Sequence, residues 1–347
     1  MVTNNKEPTI NELFVKATKL HQNNNLEAAE QLYKIILNKD SDFISAHNNL
    51  GLIYKNNGEN EKAKICFKKV IEIDPEITEA QNNLGLTFQQ SGENEKAINC
   101  FKKSIKINPN YSSAHYNIAS IFHKMGKLEV AKSYYEKAIE IKPNYTEAYN
   151  NLGIIFNQLE ENEKAILYCK KAIDINSSFF NAHYNLGLIF QKIDENEKAI
   201  NCYENAIKIN PNFFNAYNNL GILFKKLGEL QKAKNCYENA IRINPKFSDA
   251  YNNLGVYFTD LGKTEDAIYN YAEAFIHNPK NKDAQLNLIN DLTFYTPNKS
   301  YKISNPIIDA NNALREANQE FTFENLLDDN YLAIFFENSN KAFSSVK

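Results

Sequence analysis

The chain has 347 residues, 43% of them hydrophobic, and a formal net charge of -3. Residues 282–347 hold 6 Lys and Arg against 9 Asp and Glu; subtracting from totals of 39 and 42 leaves 33 of each in residues 1–281, so no basic excess favours a nucleic-acid partner. No apolar run approaches the roughly 18 residues that span a bilayer, and the longest candidate is Tyr331 to Phe336.

In chain order, residues 1–9 are a polar leader with no apolar signal core, which reads as an intracellular, cytoplasmic chain with no membrane partner. From residue 10 to 281 the sequence repeats itself with a period of 34 residues, eight times and without insertion. Gly stands at 51, 85, 153, 187, 221 and 255, with Ala119 and Ala17 in the same phase. Leu precedes most of these, and an aromatic follows three residues later, as in Tyr54, Phe88 and Phe122. Ala then recurs from Ala29 to Ala267, with an aromatic four residues on in Phe67, Phe101, Tyr135, Tyr203, Tyr237 and Tyr271. Pro closes most units, from Pro75 to Pro279. Residues at i, i+1 and i+4 share one helical face, so each unit predicts a helix, a polar turn such as Asn56–Glu59, and a second helix that Pro ends.

The first unit departs from the pattern at Val15, Lys16 and Ser41, as a terminal cap would. The fifth has Cys169 for the aromatic and Ser177 for Pro. Residues 282–296 continue the first-helix phase with Ile289 in place of Gly, which predicts a capping helix. The pattern is lost over 297–347, a C-terminal extension read as partly helical. Its apolar stretch 321–343 packs on the last repeat, mediates self-association, or begins a further domain.

Little here points to chemistry. His47, His115 and His183 share one phase two units apart, which spreads them along the stack instead of around one ion. They read as aromatic-like fillers of a helix face. Cys66, Cys100, Cys202 and Cys236 also share a phase, and equivalent positions on neighbouring helices are too far apart for disulfides. The expectation is no catalytic residue, no metal site and no cofactor.

One phase is not accounted for by packing. Two residues before the small residue stands Asn49, Asn83, Asn117, Asn151, Asn185, Asn219 and Asn253, and Asn287 extends the row. The position beside it wavers between Asn and Tyr: Asn48, Asn82, Tyr116, Asn150, Tyr184, Asn218 and Asn252. An Asn amide offers a donor and an acceptor, so a row of them can grip a peptide backbone without reading side chains. The abundance of Asn throughout the chain could also produce such a row, and so could contacts between adjacent helices.

The small/aromatic/Ala/aromatic/Pro spacing resembles the tetratricopeptide repeat family over residues 10–281. That resemblance implies an all-α fold, a solenoid formed as a right-handed superhelix of antiparallel helix pairs, whose first helices line a concave groove. The Asn-Leu-Gly and Asn-Leu-Ala triplets further resemble the repeat array of O-linked N-acetylglucosamine transferases, which implies that the eight Asn bind a substrate backbone. Residues 282–347 are too few for that family's catalytic domain. A carboxylate clamp of the co-chaperone type is not matched, because Asn, Tyr, Ser or Asp stands at its Lys and Arg phases.

The expected function is therefore a protein–protein interaction scaffold that binds a protein or extended peptide and is not itself an enzyme. The alternative is the recognition arm of a glycosyltransferase or other modifying enzyme. Leu52, Leu86, Ile154, Leu188, Ile222 and Val256 would add apolar contact, and Lys55, Gln89, His123, Lys192 and Lys225 polar contact. Replacing Asn151, Asn185 and Asn219 by Ala is expected to weaken partner capture and leave the melting temperature nearly unchanged.

Overall fold

The computed structural model describes residues 7–294, and every regular element among them is a helix. The expectations for residues 1–6 and 295–347 lie outside the described residues. The first five helix pairs are α1 (Ile10–Gln22) with α2 (Leu26–Lys39), α3 (Ile44–Asn56) with α4 (Asn60–Ile73), α5 (Thr78–Gln90) with α6 (Asn94–Ile107), α7 (Ser112–Lys124) with α8 (Leu128–Ile141), and α9 (Thr146–Gln158) with α10 (Asn162–Ile175). Then come α11 (Phe180–Lys192) with α12 (Asn196–Ile209), α13 (Phe214–Lys226) with α14 (Leu230–Ile243), α15 (Ser248–Asp260) with α16 (Thr264–His277), and a single α17 (Lys282–Phe294). The chain divides into two compact units, Met1–Asn176 and Ser177–Lys347. The described part of each is a stack of antiparallel helix pairs.

Two turn chemistries set this pattern. Within a pair, three residues reverse the chain, and the middle one has positive φ: Gly at 58, 92, 126, 228 and 262, with φ between 68° and 77°. Asn24, Glu160 and Asp194 hold that conformation in the other three pairs, at φ 59°, 63° and 60°. Between pairs, the residue that ends the second helix is extended, as Asn108 is at φ -129°, ψ 97°, because the following Pro disfavours the helical region. Its side chain then accepts from the backbone two residues on. Asn110 N donates to Asn108 Oδ1 at 3.0 Å, and Asn212 N to Asn210 Oδ1 at 3.1 Å. The Asn of Asn-Pro thus builds a side-chain turn that starts the next helix. A reciprocal capping box, Thr9 with Glu12, starts α1.

The small residue of each first helix receives the aromatic of the second. A Cβ on Gly51 would lie 2.8 Å from the Phe67 ring, on Gly85 2.6 Å from Phe101, and on Gly187 2.7 Å from Tyr203. At Gly153 the occupant is the Cys169 sulfur. Phe67, Phe101, Tyr135, Tyr203 and Tyr237 are buried to within 1% of full occlusion, so these contacts are the centre of each pair. Burying such rings contributes on the order of 2–3 kcal/mol each.

Candidate functional site

Successive first helices touch one another: α3 with α5 and α5 with α7 in the first unit, α13 with α15 and α15 with α17 in the second. The asparagine row lies along these seams. Asn49, Asn83, Asn117 and Asn151 stand on α3, α5, α7 and α9; Asn185, Asn219, Asn253 and Asn287 stand on α11, α13, α15 and α17. All eight are half-buried.

Most of these amides reach back to the preceding repeat. Asn117 Nδ2 donates to Asn82 Oδ1 at 2.9 Å, Asn253 Nδ2 to Asn218 Oδ1 at 2.9 Å, and Asn287 Nδ2 to Asn252 Oδ1 at 3.0 Å. Asn151 Nδ2 donates to the Tyr116 hydroxyl at 3.2 Å and to the Tyr135 hydroxyl at 3.0 Å. Asn219 Nδ2 donates to Tyr184 at 2.9 Å. Asn49 Nδ2 donates to Tyr33 at 3.1 Å.

At Asn82, Tyr116, Tyr184, Asn218 and Asn252 the wavering position therefore receives the row, whereas the buried Asn48 oxygen meets no hydrogen-bond donor. In the sequence its alternation looks like indifference, yet both residue types that occur there carry an acceptor oxygen, and that shared property is the signal. Contacts between adjacent helices are thus one role of the row. Val15, in the same phase on α1, is 68% exposed.

Two kinds of rung follow. At Asn151 both amide hydrogens are engaged by phenols, and Asn150 Nδ2 approaches its oxygen at 3.4 Å. Burial pushes the Tyr135 hydroxyl pKa well above the usual phenol range, and its occluded oxygen accepts from Asn151. At Asn117, Asn253 and Asn287 the bond to the preceding repeat uses one of two amide hydrogens. The second hydrogen and the carbonyl oxygen are the capacity such a rung offers a ligand. Asn151 and Asn219 each donate to a phenol of the preceding repeat, so their replacement by Ala is expected to lower the melting temperature.

Aromatic side chains flank the phenol-bound rungs. Tyr116 stacks on Tyr145 with ring centroids 4.9 Å apart, and Tyr184 meets Phe213 edge-on at 4.8 Å. Three residues along each helix from the row, Leu52, Leu86, Ile154, Leu188 and Val256 are half-buried and Ile222 is 36% exposed. Among the expected polar contacts, Lys225 pairs with Asp260 at 3.0 Å, and the His123 ring bonds Gln158 at 3.0 Å. Half-burial depresses the Lys55 pKa. Lys192 is exposed and one residue out of phase; Gln191 holds that phase and accepts from Tyr203 at 2.5 Å.

The histidines have a structural task that their spacing did not reveal. The ring Nε2 of His47, His115 and His183 bonds the carbonyls of Ser41, Pro109 and Ser177 at 2.8, 3.2 and 3.0 Å, tying each helix to the turn before it. The five cysteines form no disulfide and are buried, and burial pushes the Cys66 thiol up to about 11 and Cys236 up to about 12. Among the described residues no group of three or more His, Cys, Asp or Glu is placed to hold a metal ion. None of their helices is long and apolar enough to cross a membrane.

Family models described as TPR repeat match residues 88–126 and 194–228, and models described as tetratricopeptide repeat match 44–77, 112–145, 214–247 and 236–269. A model described as Est1 DNA/RNA binding domain matches residues 131–198. That segment holds 8 Lys against 10 Asp and Glu, so it carries no cationic excess for phosphate. No curated protein matches the sequence. Among solved structures, the APC/C hetero-tetramer Cut9-Hcn1 is similar at TM-score 0.59 and 19% identity, over 84% of this chain and 57% of that one. The chain thus spans little more than half the length of that relative. PilF of Pseudomonas aeruginosa is similar at TM-score 0.54 and 19% identity, over 60% of this chain and 95% of that one. At such identities the likeness concerns the fold. The chain carries tetratricopeptide repeats, and its described part is an all-α tetratricopeptide-repeat solenoid.

Proposed function

We propose that this protein is a non-catalytic interaction scaffold that holds an extended segment of a partner protein along the seams of its first helices. The observation that carries this reading is the row of half-buried amides at Asn117, Asn253 and Asn287, each with hydrogen-bonding capacity beyond its inter-repeat bond. Leu188 and Ile222 supply apolar contact beside it. Each added hydrogen bond is worth about 0.5–1.5 kcal/mol, so useful affinity needs several rungs. Ion pairs such as Lys225 with Asp260 and Lys226 with Asp194 leave few uncompensated cations on these helices, which favours an uncharged ligand over an acidic tail. Five buried cysteines outside any disulfide fit a reducing, cytoplasmic setting.

The test uses peptides selected from a random library by the purified chain. The double variant Asn253→Ala, Asn287→Ala should bind them at least tenfold more weakly, and so should Ile222→Glu at a position 36% exposed. Undiminished affinity in both variants, with helical circular dichroism retained, overturns the reading.

The Asn-Leu-Gly triplets favour a second reading, in which the array is the recognition arm of a protein-modifying enzyme of the O-linked N-acetylglucosamine transferase kind. A catalytic partner that copurifies with the chain and glycosylates library-selected peptides would support it.

A further inference from the structure

Resting on the groove reading, we infer that the bound segment carries one carboxylate side chain, which docks on Lys55 at the seam of α3 and α5 in the first unit. Lys55 is half-buried and holds the same phase of its repeat as Lys225. The two lysines differ in what the next repeat sets against them. Lys225 meets Asp260 at 3.0 Å, and in the same phase the His123 ring meets Gln158 at 3.0 Å, each partner lying one helix along at 35 residues' separation. The residue so placed for Lys55 is Gln90, which carries no charge. Burial alone acts on Lys55 and depresses its pKa, with no carboxylate near enough to offset it. Lys55 is thus the exception to the ion pairing that Lys225 and Lys226 show.

A second partner is also missing at this seam. Elsewhere in the first unit, the side chain in the Lys55 phase and the row asparagine of the next repeat converge on the aromatic of the second helix. His21 stands edge-on to the Tyr33 ring at 6.2 Å, and Asn49 donates to the Tyr33 hydroxyl at 3.1 Å. His123 stands edge-on to Tyr135 at 6.5 Å, and Asn151 donates to the Tyr135 hydroxyl at 3.0 Å. For Lys55 and Asn83 that aromatic is Phe67, which has no hydroxyl. The Asn83 amide makes no such bond, and the buried Asn48 oxygen on α3 meets no donor, although the equivalent pair one repeat on, Asn117 and Asn82, is bonded at 2.9 Å. The seam therefore holds a cation, an amide donor and an amide acceptor that the fold does not use. A carboxylate suits this set: it gives Lys55 a charge-assisted hydrogen bond and accepts from Asn83, while the backbone N–H of the same residue donates to Asn48. A phosphate would bring about two charges to a single cation. Half-buried Leu52 and Leu86 flank the seam, and the row runs on to Asn117, so the acid sits within an otherwise uncharged segment and not at its C-terminus.

The experiment is fluorescence polarisation with the full chain and peptides it selects from a random library, each resynthesised with a free and with an amidated C-terminus. The selected peptides should share an Asp or Glu whose change to Asn or Gln weakens binding to the parent chain about tenfold and leaves binding to Lys55→Gln unchanged. Lys55→Glu should reverse the preference and take the peptide with Lys in place of that acid more tightly than the original. Lys55→Gln should melt no lower than the parent, because the fold gives this cation no partner; a lowered melting temperature assigns Lys55 a structural role and overturns the inference. Selected peptides without a shared acid overturn it too, and so does an acid whose replacement costs the same affinity in the parent and in Lys55→Gln. Binding that amidation abolishes places the carboxylate at the C-terminus and overturns the side-chain site. All of these outcomes leave the groove reading standing, since the Asn253, Asn287 and Ile222 variants decide it separately. A library that yields no binding peptide overturns both.

Discussion

Gly221 lies against the ring of Tyr237, so closely that a Cβ there would stand 2.6 Å from Cε1. Tyr237 is itself buried to 1% exposure, so the ring has nowhere to retreat. Gly221→Ala should therefore destabilise the second unit by about 1–3 kcal/mol, the usual range for overpacking a filled core, although Ala is the better helix former. Urea denaturation followed by circular dichroism reads this directly. A stability gain would mean the ring moves freely.

Glu160 holds the left-handed turn position that Gly holds in five other pairs, at φ 63°. A Cβ costs roughly 1 kcal/mol there. Glu160→Gly should raise stability by up to about 1 kcal/mol, because relief of the strained conformation outweighs the added freedom of the unfolded chain. Asp194→Gly, at φ 60°, should behave the same way, and a thermal melt of each variant checks both.

Asn151→Ala removes the donor from two phenols, Tyr116 and Tyr135. Leaving a buried hydroxyl without its partner costs about 1–3 kcal/mol. Asn253→Ala breaks a single bond to Asn218 and should cost less. A denaturation series that ranked them in the reverse order would contradict the division into two kinds of rung.

Asp291 occupies on α17 the phase that Ile53, Ile155 and Leu223 fill in earlier first helices. Half-burial raises its pKa, and its Oδ2 accepts from Thr259 Oγ1 at 3.3 Å. With a folded-state pKa above the unfolded value, the carboxyl favours folding when protonated. It loses that contribution as the pH rises from the unfolded pKa through the raised one. Asp291→Asn should thus be more stable than the parent at pH 7, and the difference should shrink as the pH falls through the raised pKa and be gone below about 4, the ordinary carboxylate range. Paired urea titrations at the two pH values test the sign.

The helix pairs, their 34-residue period and the small-to-aromatic core are all legible in the order of residues, because they depend on spacings within one unit. The Gly-to-aromatic contact joins residues only 16 apart on two helices linked by a three-residue turn, so periodicity alone gives it away. The asparagine row is legible as a row for the same reason. What it bonds to is not, because a partner 35 residues away becomes a neighbour only when one pair stacks on the last. Stacking settles that Asn151 is held by two phenols while Asn253 keeps a hydrogen to offer, and that His115 ties a turn as well as filling a face. Hydrogen-bond capacity is finite, and only the packed arrangement shows how much of each amide the fold itself consumes.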